Sequence, residues 1–146
     1  MHWGAASWTL VHGLACYLPD EPYYASWLFS WFVSMVKVIP CHECREHAEA
    51  MLRNQRYNIH TLSQLKDAMW QFHNTINYRS GKPLLPRDRY EEMHGSGNIF
   101  RKIHNFELAM RRSSRGRRDF MQGMARSRIT QRLVKSAREV CISLLG

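Results

Sequence analysis

The sequence predicts an all-α protein, on three observations. Apolar residues recur at helical spacing through most of the 146 residues. Pro, Gly and short polar residues stand where such segments begin or end. No βαβ pattern and no internal repeat is present. We therefore expect four long helices, a short fifth helix and two further helices in a C-terminal tail.

The first helix is predicted over residues 3–18, where Trp8, His12 and Cys16 recur one turn apart, and the loop at 19–22 ends it. The second is predicted over 23–38. A strand is conceivable there because β-branched and aromatic residues are frequent, but the length of the segment favours a helix.

Pro40 ends the second helix, and a third is predicted over 41–54. Thr61 or Ser63 caps a fourth helix running to about residue 78, which Gly and Pro at 81–83 stop. A short fifth helix covers 87–93. Two basic amphipathic helices follow, one over 98–112 and one through the last segment.

The charge is distributed unevenly along the chain. Residues 1–97 hold 9 Lys+Arg and 9 Asp+Glu, whereas residues 98–146 hold 12 and 3, which accounts for the whole net charge of +9. A Gly-Ser-Gly stretch at 95–97 lies between the two parts. We therefore predict a neutral domain over 1–97 and a basic helical extension over 98–146.

Composition excludes several classes of protein. Four cysteines at uneven spacing are too few for a disulfide scaffold. The longest apolar run, residues 27–39, is too short to span a bilayer. The N-terminus has no basic region and no small-residue cleavage site, so we expect no signal peptide.

Cys41 and Cys44 stand three positions apart at the start of a predicted helix. A helix N-terminus stabilises the thiolate, the form of cysteine that exchanges with disulfides. The same pair could instead be structural, or could bind zinc together with His47 and His73. Because zinc sites usually show a second paired half-site and none is present, the spacing favours redox chemistry.

Two further motifs carry polar and aromatic side chains on helices. His73 and Asn77 share one helix face, with Asn74 beside them, although asparagine is unfavourable inside a helix. This pattern favours a bound polar ligand over a solvated surface. Trp8 and His12 form an i, i+4 pair near the N-terminus, and that pair alone is more typical of a core.

Taken together and in order, these motifs resemble the Erv/ALR family of FAD-linked sulfhydryl oxidases. The resemblance covers roughly residues 3–92 and is nearest to the small versions encoded by large DNA viruses. The matching residues are Trp3-Gly4…Trp8…His12, then Cys41…Cys44, then His73-Asn74-Thr75-Ile76-Asn77…Lys82-Pro83, with Ile76 in place of the usual valine.

The resemblance implies a four-helix bundle with a short fifth helix that holds FAD between helices. It also implies a thiol oxidase in which client dithiols reduce the Cys41–Cys44 disulfide, and the flavin passes their electrons to molecular oxygen, giving hydrogen peroxide. Cys44 would be the thiol beside the flavin and Cys41 the thiol that meets the client. The implied FAD contacts are Gly4, Trp8, His12, His47, His73, Asn74, Asn77, Lys82 and, with an altered spacing, Tyr90.

The family also implies a homodimer and thiol-containing clients, often thioredoxin-like. The viral likeness implies a place in the host cytoplasm and in the virion. This chain lacks the second cysteine pair and the shuttle cysteines of many relatives. Cys141 by itself is no shuttle and is expected to be buried or intermolecular, while Cys16 is expected to be a free packed thiol.

The resemblance does not explain the basic extension. Its two amphipathic helices could bind a membrane surface, an acidic partner or nucleic acid. Their regular apolar stripes favour packing on the bundle or on a second copy of the chain.

Two hypotheses from other classes remain beside the thiol oxidase. One is a basic nucleic-acid-binding or virion packing protein with a Cys/His zinc site. The other is a thioredoxin-like oxidoreductase, which the absence of a β pattern disfavours.

Overall fold

The structure, a computed structural model, describes residues 2–40, 42–55, 59–114 and 120–146. The described residues form seven α-helices and one 3-10 turn, and they contain no strand. The helices are α1 (Trp3–Tyr17), α2 (Pro22–Val36), α3 (His42–Gln55), α4 (Leu62–Arg79), α5 (Tyr90–His94), α6 (Ile99–Ser114) and α7 (Phe120–Ser143), with the 3-10 turn at Arg87–Arg89. The all-α prediction is confirmed, and the second segment is a helix rather than a strand.

The helices begin and end where local chemistry places them. Pro22 opens α2, where a missing N–H costs nothing. Thr61 caps α4 in a capping box with Gln64, which satisfies two free N–H groups reciprocally. Asp20 accepts hydrogen bonds from the backbone N–H of Leu62 and the hydroxyl of Ser63, so the α1–α2 loop is joined to the start of α4.

Helix α4 ends in a Schellman motif. Gly81 adopts φ +70°, a left-handed conformation that glycine alone takes without a steric penalty. The N–H of Gly81 bonds the carbonyl of Tyr78, and the N–H of Lys82 bonds the carbonyl of Asn77. The stop signal expected at 81–83 therefore acts through this turn, which sets the direction of the chain from Lys82 onward.

One apolar core runs through the bundle and the basic extension. It contains buried residues from α1, α2, α3, α4, α6 and α7. The predicted stripe of α6 is fully used, since Ile99, Ile103, Phe106 and Met110 are all buried. Helix α6 packs mainly on α1 and α7, and α7 packs on α2. Of the packing arrangements expected for the tail, the structure shows packing on the bundle.

Helix α6 approaches the bundle closely at Gly13. A Cβ atom there would lie 2.9 Å from Cδ of Lys102, which crosses α1 at this point. The Lys102 ammonium donates to the carbonyls of His94 and Ser96, at 2.9 and 2.8 Å. A cation from α6 therefore satisfies the last carbonyl of α5, that of His94, and one carbonyl of the loop that follows, which holds the end of that short helix in place.

Phe106→Ala is expected to destabilise the protein by about 3–5 kcal/mol, because it removes a fully buried ring that packs on Trp31 at 5.8 Å between centroids. Urea unfolding would measure the change. His104→Ala, at an exposed position of the same helix, is the control and should stay within about 0.5 kcal/mol of wild type. Equal stability of the two variants would contradict the packing of α6 on the bundle.

Candidate functional site

Five side chains from three helices, α1, α4 and α5, meet in one cluster. We call them the imidazole cluster: Trp8, His12, His73, Tyr90 and His94. The indole of Trp8 stacks on His73 with centroids 4.1 Å apart and 6° between the planes. His12 stacks on both Trp8 and His73, at 5.3 Å from each. Trp8, His12 and His73 thus form a layered set of rings between α1 and α4. Tyr90 of α5 meets His12 edge-on, at 85° between the planes, and His94 is tilted against His12 by 32°.

A hydrogen-bonded chain runs through the cluster. The Tyr90 hydroxyl lies 2.5 Å from Nδ1 of His12, and Nε2 of His12 lies 3.1 Å from Nδ1 of His73. His12 is fully buried. Because a protonated Tyr90 can donate to Nδ1, the Nε2–H of a neutral His12 can donate in turn to His73. The chain therefore fixes the orientation of both rings.

Burial keeps these groups uncharged at neutral pH. Desolvation, followed by the nearby His94 and His73, holds the pKa of His12 well below its ordinary value. Burial lowers the pKa of His73 to about 4, with His94 and Lys82 adding to the effect. Burial also raises the pKa of the Tyr90 hydroxyl. The cluster therefore presents neutral rings with directed donors and acceptors.

His94 completes the cluster and was not anticipated from the sequence. Its ring centroid lies 4.5 Å from that of His12 and 4.9 Å from that of Tyr90. Burial, and then the charge of Lys102, lowers the pKa of His94 to about 4. Its Nε2 is buried and has no hydrogen-bond partner in the described protein. The available signal was its spacing, since Tyr90 and His94 stand i, i+4 on one short helix.

Asn74 holds the segment that follows α4. Its amide donates to the carbonyl of Leu85 at 2.9 Å and its oxygen accepts from the N–H of Leu85 at 2.7 Å. The indole N–H of Trp70 donates to the same carbonyl at 2.7 Å. Both polar atoms of Asn74 are thus engaged with the backbone, which brings the chain back beside α4 on its way to Tyr90.

The other residues singled out from the sequence lie around this centre. Asn77 is buried near the end of α4, whereas Lys82 is exposed just after it. His47 on α3 shares a hydrogen bond of 3.0 Å between its Nδ1 and the Arg79 guanidinium on α4. Gly4 lies one turn before Trp8, and its N–H donates to the capping side chain of His2. None of these four described residues (Asn77, Lys82, His47 and Gly4) makes a ring contact or a hydrogen bond with the imidazole cluster.

The cysteine motif stands at the expected junction. Helix α3 begins at His42, directly after Cys41. Cys41 and the side chain of Cys44 lie outside the described residues, so their pairing stays a prediction. Ala48, one turn after Cys44 on α3, is fully buried.

The remaining cysteines are both free. Cys16 is half-buried, and burial raises its pKa, in keeping with the packed thiol expected there. Cys141 is fully buried in α7, and burial raises its pKa to about 11. Since the thiolate is the reactive form, Cys141 is poorly suited to thiol exchange at neutral pH.

Among the described side chains, no group of three His, Cys, Asp or Glu residues is arranged to hold a metal ion. Of the suggested zinc ligands, His47 is bonded to Arg79 and His73 is stacked on Trp8. None of the described helices combines the length and the apolar character needed to cross a membrane.

Comparison with known proteins identifies the family. The Erv1 / Alr family model matches residues 5–95, which is most of the chain before α6. A putative FAD-linked sulfhydryl oxidase, 347L, of Invertebrate iridescent virus 6 is 35% identical over 95 residues, covering 58% of this chain and 84% of that protein.

Other relatives agree over the same region. The FAD-linked sulfhydryl oxidase ERV1 of Oryza sativa subsp. japonica is 28% identical over 88 residues, covering 59% of this chain and 45% of its own length. The putative FAD-linked sulfhydryl oxidase 096R of Invertebrate iridescent virus 3 is 31% identical over 87 residues, covering 57% of this chain and 59% of that protein. The chain thus spans about half the length of the plant relative. No solved structure matches significantly. The match to the family model over residues 5–95 shows that this chain belongs to the Erv1 / Alr family.

Proposed function

We propose that this protein is an FAD-dependent thiol oxidase that forms disulfide bonds in client proteins. The observation that carries the proposal is the imidazole cluster, in which Trp8, His12 and His73 stack and a buried nitrogen of His94 has no hydrogen-bond partner. It occurs in a chain that starts its third helix at a Cys-x-x-Cys motif and whose relatives are named FAD-linked sulfhydryl oxidases.

The residues present fit a flavin nucleotide. Flat rings such as Trp8 and His73 suit stacking against an aromatic heterocycle. The free nitrogen of His94 needs a polar partner that a ligand can provide. The residues we expect to hold FAD are Gly4, Trp8, His12, His47, His73, Asn77, Lys82, Tyr90 and His94. Asn74 supports them by holding the segment before Tyr90.

The thiol chemistry belongs to Cys41 and Cys44. A client thiolate attacks the sulfur of Cys41, which breaks the Cys41–Cys44 bond and leaves Cys44 as a thiolate. The second client thiolate then attacks the client sulfur of the mixed disulfide and releases Cys41, so the client leaves with a new disulfide. When bound, FAD supplies the redox chemistry that takes two electrons from the reduced pair and delivers them to oxygen, giving hydrogen peroxide. Placed at the start of α3, the pair gains thiolate stability from the helix terminus.

Clients reach Cys41 directly under this proposal. No shuttle pair is present in the sequence, and Cys141 is buried in α7. We expect clients to be thiol proteins, thioredoxin-like ones among them.

A homodimer, and a site of action in the host cytoplasm and the virion, remain predictions. Sedimentation of the purified chain at the mass of a monomer would contradict the homodimer.

The zinc-binding hypothesis is weaker, because the two suggested histidine ligands are engaged with Arg79 and Trp8.

The basic extension still presents exposed arginine side chains that could bind a polyanion. Arg101, Arg112, Arg128 and Arg132 are exposed and have no carboxylate partner among the described residues. Since Arg128 and Arg132 are one turn apart on α7, we propose that this face binds nucleic acid beside the oxidase activity.

The purified protein is expected to carry a flavin band stoichiometric with the chain, bleached by dithiol under argon. Cys44→Ser should keep the flavin and lower dithiol-dependent oxygen consumption by about a thousandfold or more, because the thiol beside the flavin is lost. Cys16→Ser is the matched control and should turn over as wild type does. A colourless protein after incubation with FAD, or normal turnover in Cys44→Ser, would refute the proposal.

Acidification is expected to destabilise the protein between pH 6.5 and pH 4. His73 and His94 have folded pKa values of about 4, whereas unfolded histidine titrates near 6.5, so the unfolded chain binds more protons in this window. Their stabilising contribution is therefore complete above about pH 6.5 and is lost as the pH falls, by about 1–2 kcal/mol for each ring at pH 4.5.

Urea unfolding at pH 7 and pH 4.5 measures this loss. His94→Gln should reduce the difference by about 1 kcal/mol, since one of the two rings no longer titrates. His104→Gln, which changes an exposed histidine, should leave the difference as in wild type. A loss that His94→Gln does not alter would show that this ring is not held neutral.

Binding to a DNA duplex is expected to weaken steeply with salt. The double variant Arg128→Glu, Arg132→Glu should lower the slope of log K against log salt by about 2, since each phosphate contact contributes about 0.9. Arg128→Glu alone is compared with Arg89→Glu on the bundle surface, which makes the same charge change. Fluorescence anisotropy measures both, and equal effects of the two charge reversals would argue against this face.

A further inference from the structure

Helix α7 places a buried arginine beside the connection between α2 and α3, just before the cysteine motif. Arg126 is only 7% exposed although it carries a permanent charge. Its Nε and one terminal nitrogen donate to the same backbone oxygen, that of Val38, at 2.9 and 2.7 Å. This contact joins residues 88 positions apart in the sequence, from the basic extension to the bundle.

The accepting carbonyl lies in a short and restricted connection. Helix α2 ends at Val36 and α3 begins at His42, so residues 37–41 are all that join them. Val38 is fully buried and Ile39 is 7% exposed. A buried carbonyl beyond the last turn of a helix needs a donor from elsewhere, and Arg126 provides it. Its positive charge also complements the negative end of the α2 dipole.

A second hydrogen bond fixes α7 against the same helix. The indole N–H of Trp31 donates to the carbonyl of Leu133 at 3.0 Å, in the buried contact between α2 and α7. Leu133 lies about two turns after Arg126 on α7. With two attachments about 10 Å apart along its axis, α7 cannot shift relative to the end of α2 without breaking one of them.

We propose that Arg126 is a positioning residue for the Cys41–Cys44 pair, which makes the basic extension a structural part of the redox centre. The inference rests on the proposed function. Its basis is the hydrogen-bonded contact of Arg126 with Val38, three residues before Cys41, in a connection too short to absorb movement. Anchoring the carbonyl of Val38 fixes where α3 starts relative to α2.

Arginine suits this task better than lysine or an apolar side chain. Its planar guanidinium directs two N–H groups at one acceptor, whereas the lysine ammonium is a single flexible point of contact. Removing the side chain would leave the Val38 carbonyl buried without these donors. The connection would then relax, and the start of α3 would be held less firmly against the bundle.

The consequence is measurable at the disulfide itself. A well-placed N-terminus of α3 stabilises the Cys41 thiolate and therefore the reduced form of the pair. Loosening it should shift the exchange equilibrium, in which the Cys41–Cys44 disulfide and two glutathione thiols give the dithiol and one glutathione disulfide. We expect the shift to be towards the protein disulfide.

The experiment equilibrates the full chain with glutathione buffers of known ratio and counts the reduced pair by thiol alkylation and mass. Arg126→Met should favour the disulfide by about two- to fivefold relative to wild type, the size of a helix-terminus effect. Arg126→Lys, which keeps the charge but not the paired donors, should fold and shift the equilibrium in the same direction to a smaller extent. Lys135→Met, which removes a charge at an exposed position nine residues further on α7, is the control and should match wild type.

The outcomes separate the inference from the function on which it rests. Wild-type equilibria in Arg126→Lys, whatever the stability of Arg126→Met, would overturn the positioning role. An equal shift in Lys135→Met would also overturn it, since it would indicate a general effect of charge. A wild-type chain in which Cys41 and Cys44 do not pair would overturn the proposed function and, with it, this inference.

Discussion

The hydrogen-bonded chain of Tyr90, His12 and His73 is the constraint on which the candidate site depends. It joins three helices through rings that are buried and therefore uncharged. A charged imidazole at this depth would be strongly disfavoured, so the site is stable only in its neutral form. Neutrality lets Tyr90 donate to His12 and His12 donate to His73, so the rings hold one another in place.

The basic extension supports this arrangement from outside the family's core region. Lys102 satisfies the carbonyl of His94 and so holds the end of α5, which carries two members of the imidazole cluster. Arg126 donates to the carbonyl of Val38 in the connection between α2 and α3. Both are cations from residues 98–146 that act on buried or half-buried backbone oxygens. Part of the extension's charge therefore has a structural use, while the exposed arginines face solvent.

Much of the fold could be predicted because its signals are local. Helix bounds follow from apolar spacing and from caps such as Thr61 and Gly81, which act within a few residues. The stripe of α6 likewise indicated a packed helix, although the sequence left open whether its partner was the bundle or a second copy. The resemblance named Trp8, His12, His73 and Tyr90, and the structure brings these four together. No local signal predicted that His47 would share a hydrogen bond with Arg79, because the two residues lie on different helices.

By itself, the sequence determined the helical class, the family, the cysteine motif at the start of α3 and the division of charge at residue 97, because each depends on residue type and near-neighbour spacing. Only the tertiary structure decided that His94 joins the cluster, that Asn74 is engaged by Leu85, and that Lys102 and Arg126 reach back to the bundle. Those contacts join residues on different elements, and they depend on how the helices pack. Packing arises from the sum of many weak apolar contacts, which no short stretch of sequence encodes.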